Sequence, residues 1–505
     1  MYKVLLTATA ALATLGGFAT DYNTPENVTF KTACFALRIS PNGKWVGNFT
    51  GYAKVYDVEN DEMTEYPGCT LSQGNSVSND GVVAAGGSLL KDGEIIHLKT
   101  AEGTGGFDVE GITPDGKHVC GGWRGGPFTA ELDENYNVVN PVRLPTPSTD
   151  LFGDRPQWIN ATMISADGNT IAGQIQDGYG MFLYPIIYYN SPEGWKYTIP
   201  IEDLFNPNGI EIGKNPLNHQ PEYPYPEDYM SDAEAALYQE AYRVYLNGGG
   251  KKPDPAQFMS EEEYQRYVDA VDEYNDWYYS SQEDFKNYLN NYYAIVESTP
   301  SFNQGELAIH PSGEFVYMNG GIKNEFGQSV NYMYEMGIDG VNRLIPLADN
   351  NLAPVAVLSD GTLLSSPTNA FGFNTYLLEP GTEEFINIID YLAPQHPEIA
   401  AWIDDSFVGM SGLVNMSDDR SRIMGTIFVT QLNDELYATA DFRYGTYFIN
   451  IDPAGVESIE TEPADGVYRV FNLQGLKVLE TRDASALRDL PKGLFIINGK
   501  KVLVN

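Results

Sequence analysis

Cysteine, histidine and positive charge are all scarce in these 505 residues: three Cys, five His, and 30 Lys plus Arg against 69 Asp plus Glu. The resulting formal charge of −39, with no basic stripe to interrupt it, argues against nucleic acid and anionic membrane surfaces as partners. Cys34, Cys69 and Cys120 show no CxxC or Cys/His spacing, which removes the zinc motifs. They leave two readings open: one disulfide with a thiol left over, or three thiols packed as small apolar side chains. His97, His118, His219, His310 and His396 nowhere pair at ligand spacing, and His118 and His310 read as structural hydrogen-bonding residues. There is no G-x-S-x-G, no H-E-x-x-H and no D-x-[DN]-x-[DN]-G. The glycines around Trp123 and Arg124 lack the Lys and Ser/Thr of a phosphate loop. The acid pairs Asp404-Asp405 and Asp418-Asp419 read as solvated loop residues, since neighbours on a strand face opposite ways. No nucleophile, metal or cofactor signature is therefore expected. Past the N-terminus there is also no apolar run long enough to span a bilayer.

What the chain does have is a repeated phrase. It reads Ser40-Pro41-Asn42-Gly43, Ser78-Asn79-Asp80-Gly81, Thr113-Pro114-Asp115-Gly116 and Ser165-Ala166-Asp167-Gly168. It returns as His310-Pro311-Ser312-Gly313, as Ser359-Asp360-Gly361 and loosely at Asn415-Met416-Ser417-Asp418. Asp-Gly and Asn-Gly favour the positive φ of tight turns, and strand formers follow each copy, as in Lys44-Trp45-Val46 and Thr170-Ile171-Ala172. One turn per β-unit, repeated seven times, predicts an all-β, seven-bladed β-propeller with an α-helical insertion and a small C-terminal β-module. The phrase resembles the Ser-Pro-Asp-Gly blades of secreted and periplasmic propellers, in which the turn joins the innermost strand to the second.

The spacing from Ser165 to His310 is too long for one blade, so blades 1–4 are expected over 30–205 and blades 5–7 over 304–452. Between them, 206–303 reads as a mostly helical insertion. Ser231 with Glu234 and Ser260 with Glu263 form capping boxes, and a third helix is expected from about Gln282. A second, smaller interruption, Asp390 to Phe407, carries a short helix near Pro397 to Ile403. Loops between blades share a face with the loops joining second to third strands, so both insertions should rise over that mouth.

The ends speak of address. Lys3, the apolar run Val4 to Leu15 and small residues before Thr20 have the composition of a secretory signal over 1–20. At the other end, over 460–505, Tyr468-Arg469-Val470-Phe471-Asn472-Leu473-Gln474-Gly475, then Leu490-Pro491-Lys492-Gly493-Leu494-Phe495-Ile496-Ile497 and a basic-apolar finish, resemble the C-terminal sorting domain of type IX secretion cargo in Bacteroidota. The resemblance implies engagement of that secretion machinery and a secreted or outer-surface location, or a periplasmic one if the module does not sort.

For function, the expected ligand-facing residues lie at the mouth: Trp123, Arg124, Arg155, Gln157, Trp158, Tyr179, Asn303, Gln304 and Phe371. Aromatics beside Arg, Asn and Gln suit a glycan or protein ligand. The expectation is a binding or scaffold protein rather than an enzyme. Its rivals are a carbohydrate-active enzyme with acids converging from different blades, and an adaptor working through the Tyr-rich helices.

Overall fold

The computed structural model describes residues 27–32, 36–49, 52–72, 74–213, 215–216, 221–324, 326–347, 352–367, 375–406, 415–431, 441–451, 467–471, 477–482, 493–497 and 500–504. The expected signal, 1–20, lies outside them, as do Cys34 and Phe371.

Seven antiparallel sheets follow one another along the chain, each a meander running from an inner to an outer strand. The first strand, β1 (Val28–Thr32), belongs to the last blade. Blade 1 is β2 (Ala36–Ile39), β3 (Trp45–Phe49), β4 (Ala53–Asp57) and β5 (Glu62–Tyr66). In blade 2, β6 (Val83–Ala85), β7 (Ser88–Lys91) and β8 (Glu94–His97) are joined by an inner strand reduced to a single Val77–Val83 bridge. Blade 3 is β9 (Phe107–Ile112), β10 (His118–Trp123), β11 (Gly126–Leu132) and β12 (Val138–Arg143). Blade 4 has a split inner strand, β13 (Trp158–Ile159) and β14 (Met163–Ile164), beside β15 (Thr170–Gln176), β16 (Leu183–Ser191) and β17 (Gly194–Thr198). Blade 5 is β18 (Ser301–Ile309), β19 (Val316–Lys323), β20 (Ser329–Gly337) and β21 (Gly340–Pro346). Blade 6 is β22 (Leu352–Val357), β23 (Leu363–Pro367), β24 (Tyr376–Leu378) and β25 (Phe385–Asn387). Blade 7 is β26 (Asn415–Met416), β27 (Arg422–Gln431) and β28 (Asp441–Asn450), and its outer position is filled by β1, paired from Val28 with Ile449 to Thr32 with Gly445. The two ends of the propeller thus share one sheet, which closes the ring and leaves no open edge there. The expected propeller is the observed fold. A separate four-stranded sheet, β29 (Tyr468–Phe471), β30 (Lys477–Thr481), β31 (Gly493–Ile497) and β32 (Lys500–Val504), forms the C-terminal module.

The repeated phrase is the turn between the first and second strand of every blade, and one geometry recurs. The leading hydroxyl donates to the third residue and accepts the first amide of the next strand: Thr113 Oγ1 to Asp115 Oδ1 at 2.6 Å, and His118 N to Thr113 Oγ1 at 3.0 Å. Ser165 with Asp167 and Ser417 with Asp419 repeat it. In blade 5 the His310 imidazole takes the hydroxyl's place, with Nδ1 2.7 Å from Ser312 Oγ. The fourth position always has positive φ, from 72° at Gly43 to 89° at Gly361, and in blade 7 Arg420 holds it at 59°. Two copies are therefore displaced from the sequence reading: the blade 6 turn runs Leu358–Gly361 and the blade 7 turn Ser417–Arg420, because the 4→1 amide bonds close there. Asp418 and Asp419 are consequently not solvated loop acids: Asp418 accepts Ser359 N and Oγ, and Asp419 accepts Ser417 Oγ and Ser421 N.

Among the described residues the insertion holds two long helices, not three. Helix α1 (Asp232–Leu246) and helix α2 (Glu261–Ser298) start at the expected capping boxes. No helix begins near Gln282, because Ser280 and Ser281 donate back to the carbonyls of Trp277 and Tyr278 instead of capping. With no Gly or Pro to break it, α2 runs 38 residues, about 57 Å at 1.5 Å per residue. The second interruption supplies α3 (Ile388–Leu392) and α4 (Pro397–Ser406). Asp404 and Asp405 therefore lie within α4. Cys69 and Cys120 are free thiols, and Cys120 is buried. No helix among the described residues is long and apolar enough to cross a membrane.

Candidate functional site

An antiparallel meander puts every first turn on one face and every inter-blade connection on the other. On the turn face the channel narrows to a cavity of about 110 Å³ whose lining includes Pro41, Pro114, Ala166 and Pro311 beside Ile39, Ile112 and Ile309. Asn75 of blade 2 spans the channel wall there, with its side chain donating to Ile164 O and accepting Ile164 N in blade 4. The opposite face carries the insertion, as its topology requires.

The last turns of α2 are fixed to that face. Tyr288 donates to Asp154 at 2.9 Å and Tyr292 to Asp177 at 2.8 Å, all four residues being buried. Asp177 also accepts the amides of Tyr179, Met181 and Phe182, while Asp150 accepts those of Phe152, Asp154 and Gly178. Burial, then the charge of Asp177, pushes the Tyr292 hydroxyl far above its usual value, so it stays a donor. Phe152 packs at 4.6 Å from the Tyr292 ring, and Tyr179 at 5.2 Å. Tyr179, half-buried, thus packs against the base of the helix.

The remaining expected residues separate into three groups along blades 3 to 5. At the top of blade 4, Trp158 opens β13 opposite Gln176, and Arg155 and Gln157 stand exposed before it. The half-buried Trp158 ring has no aromatic partner and joins none of the core clusters among the described residues. At the top of blade 5, β18 loses register between Phe302 and Leu307, which pushes Asn303 and Gln304 out to solvent. The buried Gln174 of blade 4 ties this bulge down, donating to Asn303 O at 2.7 Å and accepting Gly305 N at 2.8 Å. At the top of blade 3, Trp123 behaves differently from Trp158. Its ring stacks 5.2 Å from Phe107 and carries the Arg124 guanidinium 5.1 Å from its centroid, so its area is spent on the blade core.

Two residues of this rim escaped sequence reasoning. Glu306, inside the β18 bulge, has its carboxyl raised above the usual range by burial, against hydrogen bonds from Asn303 and Asn319. No linear motif marks it, because the bulge that buries it is set by Gln174, 132 positions earlier in the chain. Arg143, at the end of β12, donates to Arg124 O at 2.9 Å. Among the described residues no group of three or more His, Cys, Asp or Glu is arranged to hold a metal ion.

No family model matches this sequence, and no curated protein matches it. Among solved structures it is similar to hydrazine synthase of Kuenenia stuttgartiensis, at 12% identity over 81% of this chain and 96% of that one, TM-score 0.37. It is similar to the β-propeller domain of the Trilobed protease from Pyrococcus furiosus, at 9% identity over 83% and 94%, TM-score 0.36. It is also similar to the polysaccharide lyase Uly1, at 11% identity over 88% and 95%, TM-score 0.26.

Proposed function

We propose that this chain is an exported binding protein whose ligand, a glycan or a protein segment, seats on the insertion-bearing rim of blades 3 to 5. The observation that carries the reading is Trp158: a half-buried indole with no ring neighbour, flanked by exposed Arg155 and Gln157, at the top of an innermost strand. Across the Gln174 clamp, Asn303 and Gln304 add carboxamides at the same level. An open aromatic face ringed by hydrogen-bonding groups is what a sugar or a flat peptide stretch requires. Export rests on the signal-like 1–20 and on the sorting-like C-terminal sequence, which together favour a cell-surface or secreted location in a type IX secretion context.

A glycan array followed by calorimetry on the mature protein tests it, with a product assay on each hit. The expected result is binding without turnover, weakened roughly tenfold in Trp158→Ala, since a stacked ring is worth about 0.5–1.5 kcal/mol beyond its buried area and tenfold is about 1.4 kcal/mol. Trp123→Ala should lower stability more than it lowers affinity. Turnover would favour the rival enzyme, with Glu306 the first carboxyl to examine.

A second reading has its own support. Beyond its anchored base the helical arm exposes Leu237 (65%), Leu246 (68%), Tyr225 (59%) and Tyr279 (72%), an apolar and aromatic surface suited to a protein partner.

A further inference from the structure

We infer that the ligand of the blade 3–4 rim is acidic, a glycan carrying uronate carboxylates. This rests on the binding reading above and names its ligand class. The rim carries a charge anomaly. Three other arginines of the blades meet carboxylates: Arg343 with Glu335, Arg420 with Asp360 and Glu379, and Arg422 with Glu59. In a chain with more than two acids per base, that is the ordinary fate of a guanidinium. Arg124, Arg143 and Arg155 depart from it. All three are exposed, and none has an ion-pair partner among the described residues.

They are also placed, not merely free. The Arg143 guanidinium is held against the Arg124 carbonyl, and Arg124 lies over the Trp123 ring, so backbone and ring position these cations without neutralising them. Strand β11, which starts beside them at Gly126, packs against β13 across the blade boundary, bringing Arg155, Gln157 and Trp158 to the same rim. Guanidinium groups bind carboxylates through paired, parallel hydrogen bonds, and in a chain of net charge −39 exposed arginines without ion-pair partners are the groups that can receive an anionic ligand. A polypeptide would need apolar anchoring pockets as well, and this rim offers one open indole among carboxamides and cations. Ring stacking on Trp158, hydroxyls on Gln157 and Asn303, and carboxylates on the arginines describe an acidic sugar.

The test uses the mature protein on an array of galacturonate, glucuronate and mannuronate oligomers, each beside its methyl ester and its neutral parent, with calorimetry on the hits. The expected result is a uronate oligomer bound at least tenfold tighter than its ester. Arg155→Ala and Arg124→Ala should each weaken it by about tenfold, the loss expected for one charge-assisted hydrogen-bonded contact. Arg266→Ala, on the exposed arm, should leave it unchanged. Equal binding of acid and ester, or a uronate preference indifferent to both rim arginines, overturns the inference while leaving glycan binding in place. Binding of no glycan at all, with capture of an acidic peptide instead, overturns the ligand class. Because all three arginines are exposed, unchanged melting of the variants separates lost contact from lost fold.

Discussion

The two faces of this propeller are built by opposite means. On the turn face one short phrase is used seven times, and the copies are stitched to each other. Asp418 N donates to Pro41 O, Asn79 N to Pro114 O and Ala166 N to Pro311 O, in each case a non-proline donating to the proline of the next blade. Asn42 joins Asn79 by two further bonds, and Ser359 is held by the Asp418 carboxylate. The insertion-bearing face has no such repeat. Its stability comes from singular buried contacts, Tyr292 on Asp177, Tyr288 on Asp154 and Gln174 on the blade 5 bulge, and its exposed side chains differ from blade to blade. Regularity gives the ring; irregularity leaves room for recognition.

The hardest blow to the regular side is removal of β1. Deleting 27–32 leaves blade 7 without its outer strand and exposes the Val28 site in the blade 6–7 core. The strand's ladder, about five backbone hydrogen bonds at roughly 1 kcal/mol each, predicts a loss of about 5 kcal/mol, with a lower urea midpoint. A midpoint unchanged by the deletion would mean that the ring is held shut by something other than this shared sheet. The singular side should break at Asp177→Ala, which strands three backbone amides and the Tyr292 hydroxyl in a buried site. About 3 kcal/mol is expected, against about 1 kcal/mol for Tyr292→Phe. Limited proteolysis adds the local readout: both variants should speed cleavage within α2 while the turn-face peptides stay protected.

Much of the regular face was legible, and the reason is physical. A turn that needs positive φ at its fourth residue writes Gly into the chain, and the strand after it writes Val, Ile and Tyr, so a reader can count blades. The misses follow the same logic. Blade 7 places Arg420 where glycine is expected, and its turn lies two residues beyond the Asn415–Asp418 phrase. The break expected at Gln282 is absent because Ser280 and Ser281 choose the preceding carbonyls. The site was legible only as a list of residue types. Trp123 and Trp158 look alike in sequence, and only the neighbouring strand decides that one lies against Phe107 while the other stays open. Glu306 and Arg143 depend on partners far along the chain, which no local window contains.

Acid distinguishes the two faces by a smaller effect. On the turn face burial pushes Asp115, Asp167, Asp360 and Asp419 upward, but hydrogen bonds from Thr113, Ser165, Thr362 and Ser417, with Arg420 beside Asp360, outweigh it and hold all four below the usual range. A depressed carboxyl contributes stability that is fully present above its unfolded pKa, about 3.9, and lost as pH falls through the lower folded value. Asp150 and Glu306 on the other face are raised by burial, so their ionised forms cost stability at neutral pH and that cost disappears on acidification. Hydrogen-exchange protection compared at pH 5 and pH 3 should therefore fall first at the turns of blades 3, 4, 6 and 7, while the loops around Asp150 and the blade 5 bulge hold. Asp418 supplies the internal contrast: burial raises it, so its carboxylate is neutralised at a higher pH than that of its neighbour Asp419, and this relieves a cost of burial instead of removing stability. Protection lost evenly around the ring, or first beneath the helix, would show that the two faces do not differ in this way and that the repeated turns are no weaker in acid than the singular contacts opposite them.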